Sequence, residues 1–479
     1  MRAAREDNFA RSVASWTNRA GHADGRRWQG SRFSARSHAA PPECGVDQHK
    51  PFSHVAPDPF PYVLAAEGVS NFGAMLSRLA IPWLATLVLQ ATPAEMALLL
   101  VADVVSAALG ALLLGAQMDR CGKRVMMLVC DAGRALVLGL LALGAWRGWL
   151  GMGALVAAAA ASGVLTVCFE MARSAWTAQC VAAADLSRRN AQLSMVGSVS
   201  ETVAFAAGGW LYQWLGAALA LLLDACSYVV SALCLRGVPE TSPAPAALAV
   251  PAASNLKLSV TLHRRWQALR DEAMIGLRIV AAVPALRALA GIEGLLAFGI
   301  ALTGTSLMLY VTRDLGLGTG ELGLVFALGG LGAVLGGSLA PRLGRRLGPG
   351  RTMALGLALM AAGAACVPLA GVLGGAGLAA LAWLAAQQIV GDAGHTVHDV
   401  HDRTLRQTAV PMALLARADG GIRSIGQGAT LAGALTGGVL GNFAGTLAVL
   451  WLAVAMAVAA SLLAAWAAPR LVPDLAAPA

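Results

Sequence analysis

Apolar runs of about twenty residues recur along this chain, and a run of that length crosses a ~30 Å hydrocarbon layer only as a helix, which pairs its own backbone N–H and C=O groups. Twelve such runs lie near 62–90, 94–117, 124–146, 149–181, 192–213, 215–235, 288–312, 319–340, 352–372, 374–398, 425–441 and 446–468. The expected fold is therefore all-α and integral to a membrane. Only 13% of the residues are charged against 57% hydrophobic, which excludes a water-soluble domain of this length.

The net charge of +9 invites a nucleic-acid reading until the basic residues are placed. Thirty of the 35 Lys and Arg fall in segments on the same side as the N-terminus, and only Arg147 and Arg313 fall in the opposite loops. Arg78, Arg134 and Arg173 lie within predicted spans. Cytoplasmic loops carry the basic excess, so both termini are expected in the cytoplasm and the basicity is a topology signal. The eight cysteines form no C-x-x-C pair and read as small buried hydrophobes rather than a disulfide or zinc framework.

The chain is internally duplicated. Gly115 to Arg124, with Asp119, Arg120, Gly122, Lys123 and Arg124 at its end, recurs in degraded form as Gly337 to Arg346 at an offset of 222. Each copy is expected to form a tight, glycine-bearing basic turn between two spans. Glu67-Gly68 with Phe72-Gly73 matches Glu293-Gly294 with Phe298-Gly299 at offset 226, and Gly208-Gly209 matches Gly437-Gly438 at offset 229. Twelve spans thus divide into two pseudo-symmetric six-helix bundles, 62–237 and 288–468. Residues 1–61 lack an apolar run and read as a disordered cytoplasmic tail, as do 469–479; translation from a later, non-Met codon would shorten the first of these. The connection 238–287 opens Pro/Ala-rich and then carries Trp266, Leu269, Met274 and Leu277 between charges, a pattern expected of an amphipathic helix lying on the cytoplasmic leaflet.

A charge near the centre of a span costs about 2.5–3.5 kcal/mol on insertion scales, so each needs a partner or a wet cavity. Glu67 and Arg78 lie three turns apart on one face of the first helix and are expected to line one cavity. Asp131 and Arg134, at i and i+3, are expected to pair, and Glu170 and Arg173 have the same spacing. Asp103, Glu201, Asp224 and Glu293 also fall inside spans. His395, His398 and His401 alternate with Asp399 and Asp402 at the end of the tenth span; a solvated helix end, a pH-sensitive gate and a metal site all fit this pattern, the first best. A phosphate-cradling G-x-x-x-x-G-K-S/T, a nucleophile elbow and H-E-x-x-H are all missing, so the chain reads as no enzyme. No cofactor, metal or nucleic-acid partner is expected, and a monomer is.

The Gly115–Arg124 run resembles the loop motif between helices 2 and 3 of the major facilitator superfamily. Ser70-Asn71-Phe72-Gly73, Asp131 with Arg134, and Leu405-Arg406-Gln407 with Pro411 are similar to its drug, siderophore and macrolide exporter branch. The resemblance implies a secondary active transporter of the inner membrane, working by alternating access between two rocking bundles. It further implies export of a hydrophobic or amphipathic small molecule, with protons as a candidate coupling ion. A lipid or lysolipid translocase and a non-transporting sensor are the alternatives. Glu67 and Glu293 then become candidate substrate or coupling residues, with Arg78 beside them; Glu201 is preferred to Asp224 because helix 5 of the family faces the central path. The family's Asp119 latches the start of helix 11, expected here near Arg423-Ser424. Pro341 replaces the acid in the second motif copy, and Ala204-Phe205 stands where antiporters carry a helix-5 proline.

Overall fold

The computed structural model describes residues 58–118, 121–182, 185–240, 267, 270, 273–374 and 377–471. In chain order α1 spans Phe60–Trp83, α2 Pro93–Met118, α3 Lys123–Arg147 and α4 Met152–Cys180. The run Leu186–Leu235 is two helices, since Gly216 (φ 76°, ψ 174°) breaks the helical path; α5 precedes it and α6 follows. After the connection come α7 Pro284–Leu309, α8 Thr319–Leu347, α9 Pro349–Leu369, α10 Leu378–Ala409, α11 Met412–Ala444 and α12 Thr446–Leu471. The all-α, twelve-helix expectation holds. Nine described stretches are long and apolar enough to cross a bilayer, one of them the α5–α6 run. The two helices outside that set, α10 and α11, carry the polar residues that the site requires.

The duplication reaches the backbone. α1 ends in a π-helical turn at Leu84–Val88 and α7 in another at Tyr310–Asp314, again at offset 226. The cause is legible in both copies: Thr86 Oγ1 donates to Pro82 O at 2.8 Å and Thr312 Oγ1 donates to Met308 O at 2.7 Å. Such a threonine back-bond to the carbonyl four residues earlier loosens the helical ladder. In α1 Pro82 adds to this by removing a donor, but α7 makes the same turn without a proline.

Two expectations need correction. The second loop-motif copy is no turn: Pro341 to Arg346 continue α8, and the chain reverses only at Gly348 (φ 80°) ahead of Pro349. Gly344 is helical there, and the His401 ring lies against it, leaving no room for a Cβ. Helix 11 begins at Met412, about three turns before Arg423-Ser424, so the basic residues of 403–423 extend two long helices instead of filling a loop. At about 1.5 Å per residue the 32-residue α10 is roughly 48 Å long and must project beyond the bilayer. The helix expected on the leaflet is described only in part, in the run Ala273–Ala282, where Met274 is exposed and Leu277 half-buried. Ile279, Val280 and Val283 join the core of the second bundle, and Gly276 meets the α11 backbone at Arg417 and Gly421. Trp266 and Leu269 lie outside the described residues, as do the tail 1–57 and Asp119 with Arg120.

The apolar core shows how the bundles relate. On the face opposite the one where α1 begins and α12 ends, a single cluster runs through both bundles: Trp83 and Leu84 of α1, Leu155 of α4, and Leu309, Tyr310 and Leu322 of the second half. On the terminal face the core divides. Phe60, Met127, Phe169 and Trp176 form one cluster in the first bundle, and Leu286, Ile292, Met353 and Leu405 form another in the second. The bundles are joined at the opposite face and parted at the terminal face.

Candidate functional site

Where the bundles part, each presents an ion pair between its first and fourth helices. Glu67 of α1 receives Arg173 of α4 at 3.3 Å, and Glu293 of α7 receives Arg406 of α10 at 3.1 Å. The two acids matched by the sequence repeat are thus used in the same way in both halves. Arg173 is drawn to Glu67 across the bundle rather than to Glu170, one turn away and exposed to the surroundings. Arg406 is also within 2.7 Å of Asp402 and 3.9 Å of Asp419 on α11, so one guanidinium neutralises three carboxylates. Arg78 does not share Glu67's setting; it is exposed beside Met75 and interacts with Asp103 of α2.

The expected Asp131 and Arg134 pair is present and fully enclosed. Ser231 Oγ of α6 donates to Asp131 Oδ2 at 2.8 Å, and the guanidinium lies 4.4 Å from the centre of the Phe169 ring and 4.2 Å from that of Tyr228. Two rings and a carboxylate enclose the planar cation, although its Nε has no hydrogen-bond partner among the described residues. The pair therefore ties α3 to α4 and α6 inside the first bundle. Asp224 is buried without exposure on α6, against Gly73 of α1, with Ser227 Oγ donating to its Oδ1 at 3.2 Å. Glu201 is half-buried on α5.

The described basic residues of the first loop motif work within one bundle. Gly115 lies near the end of α2 and Gly122 caps α3. Lys123 is buried. Arg124 donates to Leu235 O at 3.2 Å and Arg236 O at 2.6 Å, fastening the start of α3 to the end of α6. In return the Glu240 carboxylate accepts from the Arg124 and Val125 amides at 3.2 Å each, an anion on a helix N-terminus.

Two glycine pairs form the seams between bundles. Gly209 of α5 touches Thr319 and Gly323 of α8, and Gly438 of α11 touches Pro93, Ala94 and Ala97 of α2. A Cβ at Gly209 would strike backbone, and one at Gly438 would strike the Ala97 methyl. These matched glycines read as close helix packing in the sequence, and the structure places both at the bundle interface. A third link is Arg313, one of the two basic residues in the opposite loops: from the α7 π turn it donates to Thr86 O at 3.3 Å and Ala91 O at 2.9 Å across the interface. The other, Arg147, lies over the rings of Trp146 and Trp149, 6.0 and 5.4 Å from their centres. Arg313→Ala is expected to open the joined face. Two charge-assisted hydrogen bonds on an exposed side chain are worth about 1 kcal/mol, roughly a fivefold population shift. Spin labels at Gly151 and Leu378, on opposite bundles, check it: the long-distance fraction should rise.

A cavity of about 370 Å³ enters the second bundle between α7, α9, α10 and α12. Its wall is apolar, with Leu296, Ile300, Met360 and Leu450, while Gln387, Asp392 and His395 of α10 supply its polar side. His398 and His401 point elsewhere: both are buried, His398 where α10 crosses Gly356 of α9 and His401 against Gly344 of α8, with His401 Nδ1 2.9 Å from Val397 O. They pack helices. Among the described residues no three His, Cys, Asp or Glu side chains converge as a metal site would require.

Sequence reasoning missed Arg406 as the hub of four charges, Arg313 as a link and Asp392 as a cavity residue. Arg406 was visible only as part of a motif, and Arg313 only as an exception to the charge bias.

The family model described as Major Facilitator Superfamily matches residues 63–395. No curated protein sequence matches. Among solved structures, a bacterial homologue of the iron transporter ferroportin in an inward-facing state superposes with a TM-score of 0.68 at 16% identity, covering 87% of this chain and 100% of that one. A bacterial metal transporter gives 0.62 at 17% identity over 86% and 99%, and a bacterial homologue of the human lysosomal transporter Spinster, inward-facing and unoccupied, gives 0.63 at 14% over 89% and 100%. At these identities the likeness is one of fold. With two repeated six-helix halves and a family match over most of its length, the chain belongs to the major facilitator superfamily.

Proposed function

We propose that the protein is a secondary active transporter of the inner membrane, working by alternating access and exporting a hydrophobic or amphipathic small molecule. The observation that carries this is the divided core: one apolar cluster across both bundles at one face, two separate clusters at the other. A rigid-body rock that exchanges these two arrangements is the simplest motion open to paired bundles. By the basic excess the parted face is cytoplasmic, so this form is open inward and both termini are cytoplasmic. Export follows from the exporter-like motifs, and protons are the candidate coupling ion, with Glu67 and Glu293 as the acids. Losing the helix-5 proline removes a bend that antiporters carry, so coupling is the first property to measure.

A growth-inhibition panel on cells with and without the gene, followed by flux in proteoliposomes with an imposed proton gradient, tests the reading. A gene-dependent rise in tolerance to a lipophilic compound, and its gradient-driven flux, are expected. Unchanged tolerance to every compound together with no flux would sink it. Orientation is checked separately by single cysteines at Asn190 and Gly151, with the eight native cysteines replaced. Gly151 has an extended backbone and open space where a Cβ would stand, so the residue is tolerated. Asn190 should react only with reagent on the cytoplasmic side and Gly151 only from outside; the reverse pattern refutes the orientation.

A further inference from the structure

The cavity in the second bundle has a chemical character that the transporter reading leaves unused. Most of its wall is hydrocarbon, and its volume of about 370 Å³ falls in the range of small-molecule sites. Small residues make that room: Gly299 and Gly304 on α7, Gly391 on α10, Ala453 and Ala457 on α12. At one side stands the carboxylate of Asp392, pressed against Gly329 of α8 so closely that a Cβ there would meet its Oδ2.

Asp392 differs from the other acids of its bundle. Glu293 and Asp402 lie within 4 Å of Arg406, whereas among the described residues no Lys or Arg comes within ion-pair distance of Asp392. The titratable groups nearest it are His395, one turn on, and Glu201 of α5, an acid from the other bundle. A carboxylate at membrane depth is costly and persists where it meets a partner or a wet path. Here the fixed partner is missing and a cavity stands in its place.

We infer that this cavity receives an amphipathic cation, its apolar body between α7, α9 and α12 and its protonated amine or onium group at Asp392, with Glu201 adding to the attraction from across the interface. The inference takes its location from the transporter reading and narrows the substrate class. An anion would meet two acids and no paired arginine. A neutral lipophile would use the hydrocarbon wall but leave the carboxylate unsatisfied. Gln387, beside the acid, supplies hydrogen bonds that orient the head group without adding charge.

The test uses the full-length protein in nanodiscs and an isosteric pair of probes, labelled tetraphenylphosphonium and labelled tetraphenylborate. The wild type should bind the cation at least about tenfold more tightly than the anion, after subtraction of binding to empty nanodiscs. Asp392→Asn should erase most of that preference and Asp392→Glu retain it, while Ala457→Phe, which fills the apolar end, should weaken binding of the cation with Asp392 intact. Monodisperse elution of each variant shows that it is folded; the wild-type preference stands as a readout even if a variant is not. Equal or tighter binding of the anion by the wild type, no binding of either probe, or an unchanged preference in Asp392→Asn would overturn the inference. Gradient-driven flux of neutral or anionic lipophiles alongside any of those results would leave the transporter reading standing and remove only the cation; absence of all flux would remove the reading itself.

Discussion

Arg406→Ala is expected to be the most damaging single substitution on the terminal face of the second bundle. It strips the counter-charge from Glu293, Asp402 and Asp419 at once, and Asp402 is only 8% exposed. Removing one partner of a buried pair leaves the other desolvated and uncompensated, at a cost of about 3–5 kcal/mol, and here three acids on α7, α10 and α11 also repel one another. The half-exposed Glu293 and Asp419 soften this, so about 3 kcal/mol is the expected loss. Arg406→Lys keeps the charge but not the fork that reaches several carboxylates, and should fall between. The pseudo-symmetric Arg173→Ala should cost less, since that guanidinium neutralises Glu67 alone. Thermal unfolding of the purified variants in one detergent ranks them. If Arg173→Ala proves as costly as Arg406→Ala, the asymmetry claimed for the two pairs is wrong.

The second large effect is expected at the α5–α8 seam. Gly323→Leu places a side chain where the Gly209 backbone and Phe205 O already lie, so the joined face cannot close as it does in the native chain. Overpacking costs about 1–3 kcal/mol, borne almost wholly by the form closed at that face; this corresponds to a shift of roughly fivefold to a hundredfold towards the other form. The Gly151 and Leu378 spin-label pair should lengthen, and transport should fall because the cycle is held at one end. Gly428→Leu serves as control: a Cβ at that glycine has open space, so the distance distribution should not move. A native distribution in Gly323→Leu would show that the seam is not what holds the face shut.

Together these effects separate two kinds of charge in the spans. Asp131 with Arg134, enclosed by Phe169 and Tyr228, is structural glue within one bundle. Glu67 with Arg173 and Glu293 with Arg406 lie where the bundles part, so under the proposed alternating access a change in their pairing would bias the rock between them. Asp392 lines a cavity with no Lys or Arg within ion-pair distance among the described residues.

The sequence by itself determined the helices, the duplication and the side preference of the loops. Each of these is a local or additive property: a run is apolar or it is not, and basic residues count wherever they fall between runs. Even the paired π turns were latent in it, since the Thr86 and Thr312 hydroxyls bond only to carbonyls of their own helices. The tertiary structure decided everything that required knowing which helices touch. Arg173 and Glu67 are 106 residues apart and Arg406 and Glu293 are 113 apart, and neither spacing distinguishes them from many other acid and base pairs in the chain. Proximity in sequence pointed Arg173 to Glu170, but packing of α4 against α1 offered Glu67 instead. The degraded loop motif failed for a related reason. Gly344 continues its helix instead of ending it, and it lies against the His401 ring of α10, a contact that no local pattern reveals.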